Sequence, residues 1–209
     1  RYRPDGGTVK IDGRRVDRLP DHKVARYVAR VFQDPMAGTA AHMTIEENLS
    51  LALGRGTTRS LGQGVTRAKR EFLRTQLKVL EQGLEDRLTT KVGLLSGGQR
   101  QALSLVMATF GDPKVLLLDE HTAALDPQRA ELITNLTREL VAEKGLTTLM
   151  VTHNMEQALR LGNRLIMMHE GRIIFELSGQ DKAGAGVEDL MAEFDRIKGA
   201  QLSDRTLLT

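Results

Sequence analysis

Short apolar runs alternate with longer amphipathic stretches along most of the chain. Continuous apolar runs are typical of strands buried in a parallel sheet, whereas apolar residues three and four positions apart are typical of helices. The pattern predicts strands over residues 8–12, 28–33, 115–119, 147–152, 164–168 and 172–177, and helices over residues 44–53, 66–80, 96–110, 127–144, 155–161 and 187–197. This alternation indicates an α/β fold with a mainly parallel sheet.

The stretch from about residue 44 to residue 111 contains no strand pattern and is nearly all helical. This favours an α-helical subdomain inserted into the parallel core. A Gly/Ala-rich link at residues 183–186 begins a C-terminal helical extension, residues 183–209, whose tail we expect to be loosely ordered. The whole chain, residues 1–209, fits one domain.

Composition and charge exclude several kinds of protein. The chain has no cysteine, which rules out disulfides and thiolate metal sites and favours a reducing compartment. No apolar run approaches the length of a membrane span, and the first residues lack a signal-peptide pattern. The net charge of +3 is spread along the chain, and 3% aromatic residues are too few for a base-stacking surface, so we predict no nucleic-acid partner.

A glycine-containing segment, residues 95–99 (LSGGQ), lies at the start of the third predicted helix, residues 96–110. Glycines allow backbone N–H groups to approach an anion closely, and a helix N-terminus carries positive partial charge. Ser96 adds a hydroxyl donor. A purely local interpretation also exists, because Ser96 and Gln99 have the spacing of a helix capping box.

Two further positions follow predicted strands. Asp119 and Glu120 end an apolar strand, which would bring two carboxylates to the sheet edge where α/β proteins bind ligands. His153 comes directly after the next apolar strand, at the same predicted edge. Alone, the acids could belong to an ordinary charged turn and the histidine could be structural.

Together these motifs resemble those of ATP-binding cassette (ABC) ATPases, and the resemblance covers residues 4–177. The matching segments are the LSGGQ signature at 95–99, the LLLDE strand end at 116–120, the VTH switch at 151–153, the Q-loop glutamine Gln33, the AALD D-loop at 123–126 and a GRI pattern at 171–173. The resemblance implies a P-loop NTPase-like fold and a head-to-tail pair of cassettes.

Site roles are implied by the same resemblance. Glu120, His153 and Gln33 would be catalytic, and Asp119 with Gln33 would hold Mg²⁺. The resemblance also implies five residues that would bind nucleotide: Ser96, Gly97, Gly98, Gln99 and Asp126. Those of the signature would contact the ATP held by the partner cassette.

The sequence departs from the family pattern in two places. The Walker A pattern G-x-x-x-x-G-K-[ST] does not occur in it, and the sequence does not begin with Met. We therefore expect the Walker A part of the domain to be missing, and this stretch by itself to bind ATP poorly and to be inactive. His121 stands where relatives usually have Pro, and we expect a neutral surface variation there.

The resemblance implies an ATP-hydrolysing subunit of a bacterial transporter, with ATP and Mg²⁺ as cofactors, peripheral at the cytoplasmic face of the membrane. We expect an importer of a small solute, with a second ATPase subunit, a separate transmembrane permease and an extracytoplasmic solute-binding protein as partners. The long loop at residues 34–42 suggests a particular transporter subgroup, and the LLLDEHTAALDP run resembles that of bacterial importers with a branched-chain-amino-acid-type permease. Two alternatives stay open: a soluble cassette acting on ribosomes or nucleic acid, and a non-hydrolysing regulatory cassette.

Overall fold

A computed structural model describes residues 4–57 and 64–206, with the side chains of the last helix given as far as Arg196. The chain divides into two compact units, Arg1–Val151 and Thr152–Thr209. Part of the predicted loop at residues 54–64 lies outside the described residues.

The first unit is built on a parallel sheet of three strands, β3 (Val28–Val31), β4 (Val115–Asp119) and β5 (Thr147–Val151), in the order β3–β4–β5. Val31 lies opposite Leu118, and Asp119 lies opposite Val151, so the carboxyl ends of the three strands meet at one edge. The mainly parallel α/β core predicted from the sequence is confirmed. The elements up to the end of the sheet are β1 (Lys10–Ile11), β2 (Arg14–Arg15), α1 (Asp21–Val24), β3 (Val28–Val31), α2 (Ile45–Leu53), α3 (Arg67–Lys78), α4 (Gly97–Thr109), β4 (Val115–Asp119), α5 (Pro127–Lys144) and β5 (Thr147–Val151).

The helices begin and end where local sequence rules place them. Thr44 and Ser96 both cap their helices in reciprocal capping boxes, and the Thr66 side chain accepts from the N–H of Lys69. Pro127 opens α5, and Gly145 closes it in the left-handed conformation with φ of 58°. Such caps satisfy backbone groups that the helix itself leaves unpaired.

The hydrophobic core lies on one face of the sheet. Ala29 and Val31 of β3, and Leu116 and Leu118 of β4, are buried in one cluster with residues of the helices. The prediction that β5 is a buried strand is wrong, because Leu149 and Val151 are each 54% exposed. In a strand, alternate side chains point to opposite faces, and Leu149 and Val151 share the face opposite to that of the half-buried Met150.

The second unit pairs two antiparallel strands with three helices, and Leu165, Met167 and Leu190 are buried in its core. Its elements are α6 (Met155–Arg160), β6 (Arg164–His169), β7 (Arg172–Ser178), α7 (Gly179–Gly184) and α8 (Val187–Thr206). The last helix was predicted to end at residue 197, but it extends to Thr206. The reason is that residues 187–206 contain no Pro and only one Gly, so nothing in them ends a helix.

His121, in the turn between β4 and α5, is buried, with only 2% of its surface exposed. Its Nε2 lies 3.1 Å from the hydroxyl of Thr137, and that hydroxyl donates to the carbonyl of Ile133 at 2.7 Å. Thr137 donates its only hydroxyl proton to the Ile133 carbonyl, so its oxygen can only accept from His121. The Nε2 of His121 must therefore carry the hydrogen and donate it to Thr137. The expectation of a neutral surface variation at this position is wrong: the ring fixes the turn to the middle of α5.

Burial lowers the pKa of His121 from 6.5 to about 4. The unfolded chain therefore binds a proton at higher pH than the folded chain does, so the free energy of unfolding should fall between pH 6.5 and pH 4. The loss should total roughly 3 kcal/mol. Between pH 7 and pH 4.5 about 2 kcal/mol of this loss is reached, so urea unfolding of His121→Gln at these two pH values, without nucleotide or Mg²⁺, should show a pH dependence that is about 2 kcal/mol smaller.

Thr137→Val is the matched control, because it removes the hydrogen-bond partner and keeps the titrating ring. It should lower the free energy of unfolding at both pH values and keep the wild-type difference between them. A His121→Gln protein with the full wild-type pH dependence would show that the ring is not held neutral.

Candidate nucleotide site

The acidic pair lies at the carboxyl edge of the sheet, at the end of β4. Glu120 has a φ of 43°, in the left-handed region that residues other than glycine rarely adopt. Its N–H donates to the carbonyl of Val151 at 2.9 Å, which fixes it beside the end of β5. A left-handed glutamate costs about 1–3 kcal/mol, and such strain is concentrated at functional sites.

The Gln33 side chain reaches this acidic pair from the neighbouring strand end. Its Nε2 donates to Oε2 of Glu120 at 3.0 Å. Gln33 follows β3 by two residues, and β3 pairs in parallel with β4, so the register itself brings these two side chains together. An amide that holds a carboxylate in this way leaves its own oxygen as an acceptor for water or a cation.

Asp119 forms an ion pair with Arg30, a residue that the sequence prediction missed. The Arg30 guanidinium also lies over the ring of Phe32, 4.6 Å from its centroid. Arg30 pairs with Leu117 in the ladder, so its side chain lies on the same face of the sheet as that of Asp119, two residues further along. The sequence did contain a signal for this residue, because Arg30 is the one charged residue in an otherwise apolar stretch, residues 28–32.

The signature segment forms the N-terminal end of α4, where Gly97 is exposed, Ser96 and Gln99 are half-buried, and Leu95 and Gly98 are buried. The Ser96 hydroxyl accepts from the Gln99 N–H at 3.3 Å, and the Gln99 Oε1 accepts from the Ser96 N–H at 3.1 Å. The capping box that the spacing of Ser96 and Gln99 predicts is therefore present. It leaves the hydroxyl proton of Ser96 available to a ligand, because the oxygen is used here only as an acceptor.

The two signature glycines differ in their surroundings. Neither has a positive φ. A Cβ on Gly97 would find Leu125 Cδ2 at 3.9 Å, an ordinary contact, whereas a Cβ on Gly98 would lie 3.0 Å from Cδ of Arg129. Neither backbone conformation nor packing within this chain therefore requires glycine at position 97.

The D-loop, residues 123–126, lies against the signature end of α4. Asp126 caps α5 by accepting from the Arg129 N–H at 3.1 Å, and its carboxylate lies 3.4 Å from Nε of Arg129. Since the same Arg129 side chain adjoins Gly98, the structure brings Asp126 and the signature together.

His153 is exposed and belongs to the second unit, where it precedes the cap of α6. The Asn154 side chain accepts from the Gln157 N–H at 2.9 Å and so begins that helix. In the first unit, the structure groups Gln33, Asp119 and Glu120 at the sheet edge.

The donors at the sheet edge suit a hard cation that arrives with a phosphate ligand. Among the described residues no group of three or more acidic, histidine or cysteine side chains could form a metal site of protein ligands alone. Mg²⁺ is usually held through one or two carboxylates together with substrate phosphates and water. The Asp119 carboxylate, 41% accessible, and the amide oxygen of Gln33 match that donor set.

Comparison with known proteins agrees with this geometry. The family model described as ABC transporter matches residues 1–123. The tyrosine transport ATP-binding protein of Clostridioides difficile (strain R20291) is 44% identical over 90% of this chain and 75% of its own length. The thiamine import ATP-binding protein ThiQ of Salmonella choleraesuis (strain SC-B67) is 35% identical over 87% of this chain and 75% of its own length.

A solved structure is similar in fold as well as in sequence. It is a dimeric, post-hydrolysis state of the ATP-binding cassette MJ0796 bound to ADP and Pi, with a TM-score of 0.69 and 29% identity over 85% of this chain and 75% of that one. Within residues 4–57 and 64–206, no helix is both long and apolar enough to cross a membrane. The chain therefore belongs to the ABC transporter family, as an ATP-binding subunit that hydrolyses ATP.

Proposed function

We propose that this chain powers a bacterial importer of a small solute, with ATP hydrolysed at the carboxyl edge of the β3–β4–β5 sheet. The hydrogen bond from Gln33 to Glu120, beside Asp119, is the observation that carries the proposal. The names of the two relatives, one for tyrosine transport and one for thiamine import, support a transport role and, in the second case, the inward direction.

Hydrolysis needs a water molecule aligned with the γ-phosphate and a group to accept its proton. Glu120 is the proton acceptor, and Gln33 holds the glutamate and orients the water. As the water oxygen bonds to phosphorus, the bond to the ADP oxygen breaks. Asp119 and Gln33 would hold Mg²⁺, which would neutralise phosphate charge, and His153 would donate to the γ-phosphate.

The signature acts on the nucleotide of a second copy in a head-to-tail dimer. Gly97 is exposed, and nothing within this chain requires its small size. An exposed glycine at the start of a helix leaves its N–H open to an anion. Ser96, Gly97, Gly98 and Gln99 therefore contact the triphosphate of the partner subunit, with Asp126 beside them.

A transport role requires further proteins beside this chain. The membrane path belongs to a separate permease, and an extracytoplasmic binding protein delivers the solute, so this chain is peripheral at the cytoplasmic face. Of the described residues, 44–57 and 64–111 belong to the inserted helical subdomain, and 183–206 belong to the helical extension of the cassette. The solute itself is selected by those partners.

Glu120→Gln tests the catalytic assignment in the protein expressed with its native chain ends. The amide cannot accept the proton, so we expect ATP turnover to fall by about 10²–10⁴-fold. A stable ATP-bound dimer should accumulate, as measured by sedimentation. The control, Glu143→Gln, changes an exposed carboxylate late in α5 and should turn over ATP like the wild type. Unchanged turnover in Glu120→Gln would refute the assignment.

Gly97→Ala separates a ligand role of the signature from a structural one. Since a methyl group at this position meets only an ordinary contact, the free energy of unfolding should stay the same or rise by up to about 1 kcal/mol. In a Glu120→Gln background, the methyl group should weaken ATP-driven dimer formation. Urea unfolding and sedimentation with ATP measure the two effects.

Gly184→Ala is the matched control, because a Cβ there meets no atom within 4 Å and it lies in α7, away from the signature in sequence. It should dimerise with ATP as readily as its parent. If Gly97→Ala also dimerised normally, the signature would not contact the nucleotide of a second copy.

A further inference from the structure

The buried side chain of Gln101, in the second turn of α4, is hydrogen-bonded to the Q-loop. Only 1% of its surface is exposed, and its Nε2 donates to the main-chain carbonyl of Phe32 at 3.2 Å. The Phe32 carbonyl and the Gln33 N–H belong to the same planar peptide group, so this hydrogen bond fixes the orientation of the peptide that leads into Gln33. The side chain of Gln101 therefore fixes the backbone that carries a catalytic residue.

The signature end of α4 and Gln101 belong to one continuous helix. Gly97 and Gln101 are four residues apart in a continuous helix, about 6 Å along its axis. The capping box between Ser96 and Gln99 fixes the first turn of the same helix. A displacement of the signature end of α4 is therefore transmitted to the Phe32 carbonyl.

The same face of α4 packs closely on the loop that follows Gln33. A Cβ placed on Gly38 would lie 3.3 Å from the Ser104 hydroxyl oxygen, so loop and helix approach without an intervening side chain. The buried oxygen atoms Oε1 of Gln101 and Oγ of Ser104 have no hydrogen-bond partner among the described residues. The Gln101 amide is thus oriented by its single bond to Phe32.

We propose that Gln101 is a positioning residue that couples the signature to the Q-loop of the same subunit. When the signature contacts the nucleotide of the neighbouring subunit, α4 sets the Phe32 carbonyl and thereby aligns Gln33 with Glu120. This rests on the proposed function and adds a route by which one ATP site promotes hydrolysis at the other. The relay consists of two observed hydrogen bonds, from Gln101 to Phe32 and from Gln33 to Glu120.

Gln101→Leu removes the donor and keeps the side-chain volume, and Gln101→Met serves if the leucine variant folds poorly. In the protein with native chain ends, we expect kcat to fall about tenfold while the KM for ATP stays within about twofold, because only alignment for reaction is lost. ATP-driven dimer formation in a Glu120→Gln background should be unchanged. Hydrogen exchange of residues 33–38 should lose the protection that ATP confers on the parent dimer.

Ser104→Ala is the control, because it removes a buried polar atom one turn further along the same face of α4. It should keep wild-type kcat, KM and exchange. Normal kcat and normal protection of residues 33–38 in Gln101→Leu would overturn the coupling, and so would a loss of dimer formation, which would mean that Gln101 only shapes the signature. Failure of the proposed function is distinguishable, because Glu120→Gln would then keep its turnover.

Discussion

The candidate site depends on the parallel register of β3, β4 and β5. Val31 opposite Leu118 and Asp119 opposite Val151 bring three strand ends to one edge, where the chain leaves the sheet. A slip by one residue would turn every side chain of a strand to the other face. The same register that buries the apolar residues of β4 therefore also presents Asp119 to Arg30 and brings Glu120 within reach of Gln33.

The turn after β4 keeps a strained conformation because it is fixed on two sides. The backbone N–H of Glu120 is bonded to the end of β5, and the buried ring of His121 is bonded to Thr137 in α5. Each bond constrains one of two consecutive residues, so the left-handed Glu120 cannot relax without disturbing one of these hydrogen bonds. The position of the carboxylate is thus set by the sheet and by a helix together.

Local sequence rules predicted the helices well, because a cap needs only residues that are close in the chain. Thr44, Ser96 and the Pro127–Gly145 pair illustrate this. The exposure of β5, the burial of His121 and the pairing of Arg30 with Asp119 were not predicted, since each depends on what packs against a residue from a distant part of the chain. The catalytic and ligand roles were predicted from the order of the motifs along the chain. A contact such as that of Gln33 with Glu120 could not be predicted, because it depends on the register between β3 and β4.

Ser96 illustrates why a structural and a ligand role need not compete at one residue. Its oxygen accepts from the Gln99 N–H, and its backbone N–H is used by the Gln99 side chain, so the capping box consumes one acceptor and one donor. The hydroxyl proton remains, and the box fixes the oxygen that carries it at the N-terminal end of α4. A cap that fixes a donor in place lowers the entropy that a phosphate must remove on binding. The capping box is therefore part of what would make the signature a good phosphate ligand.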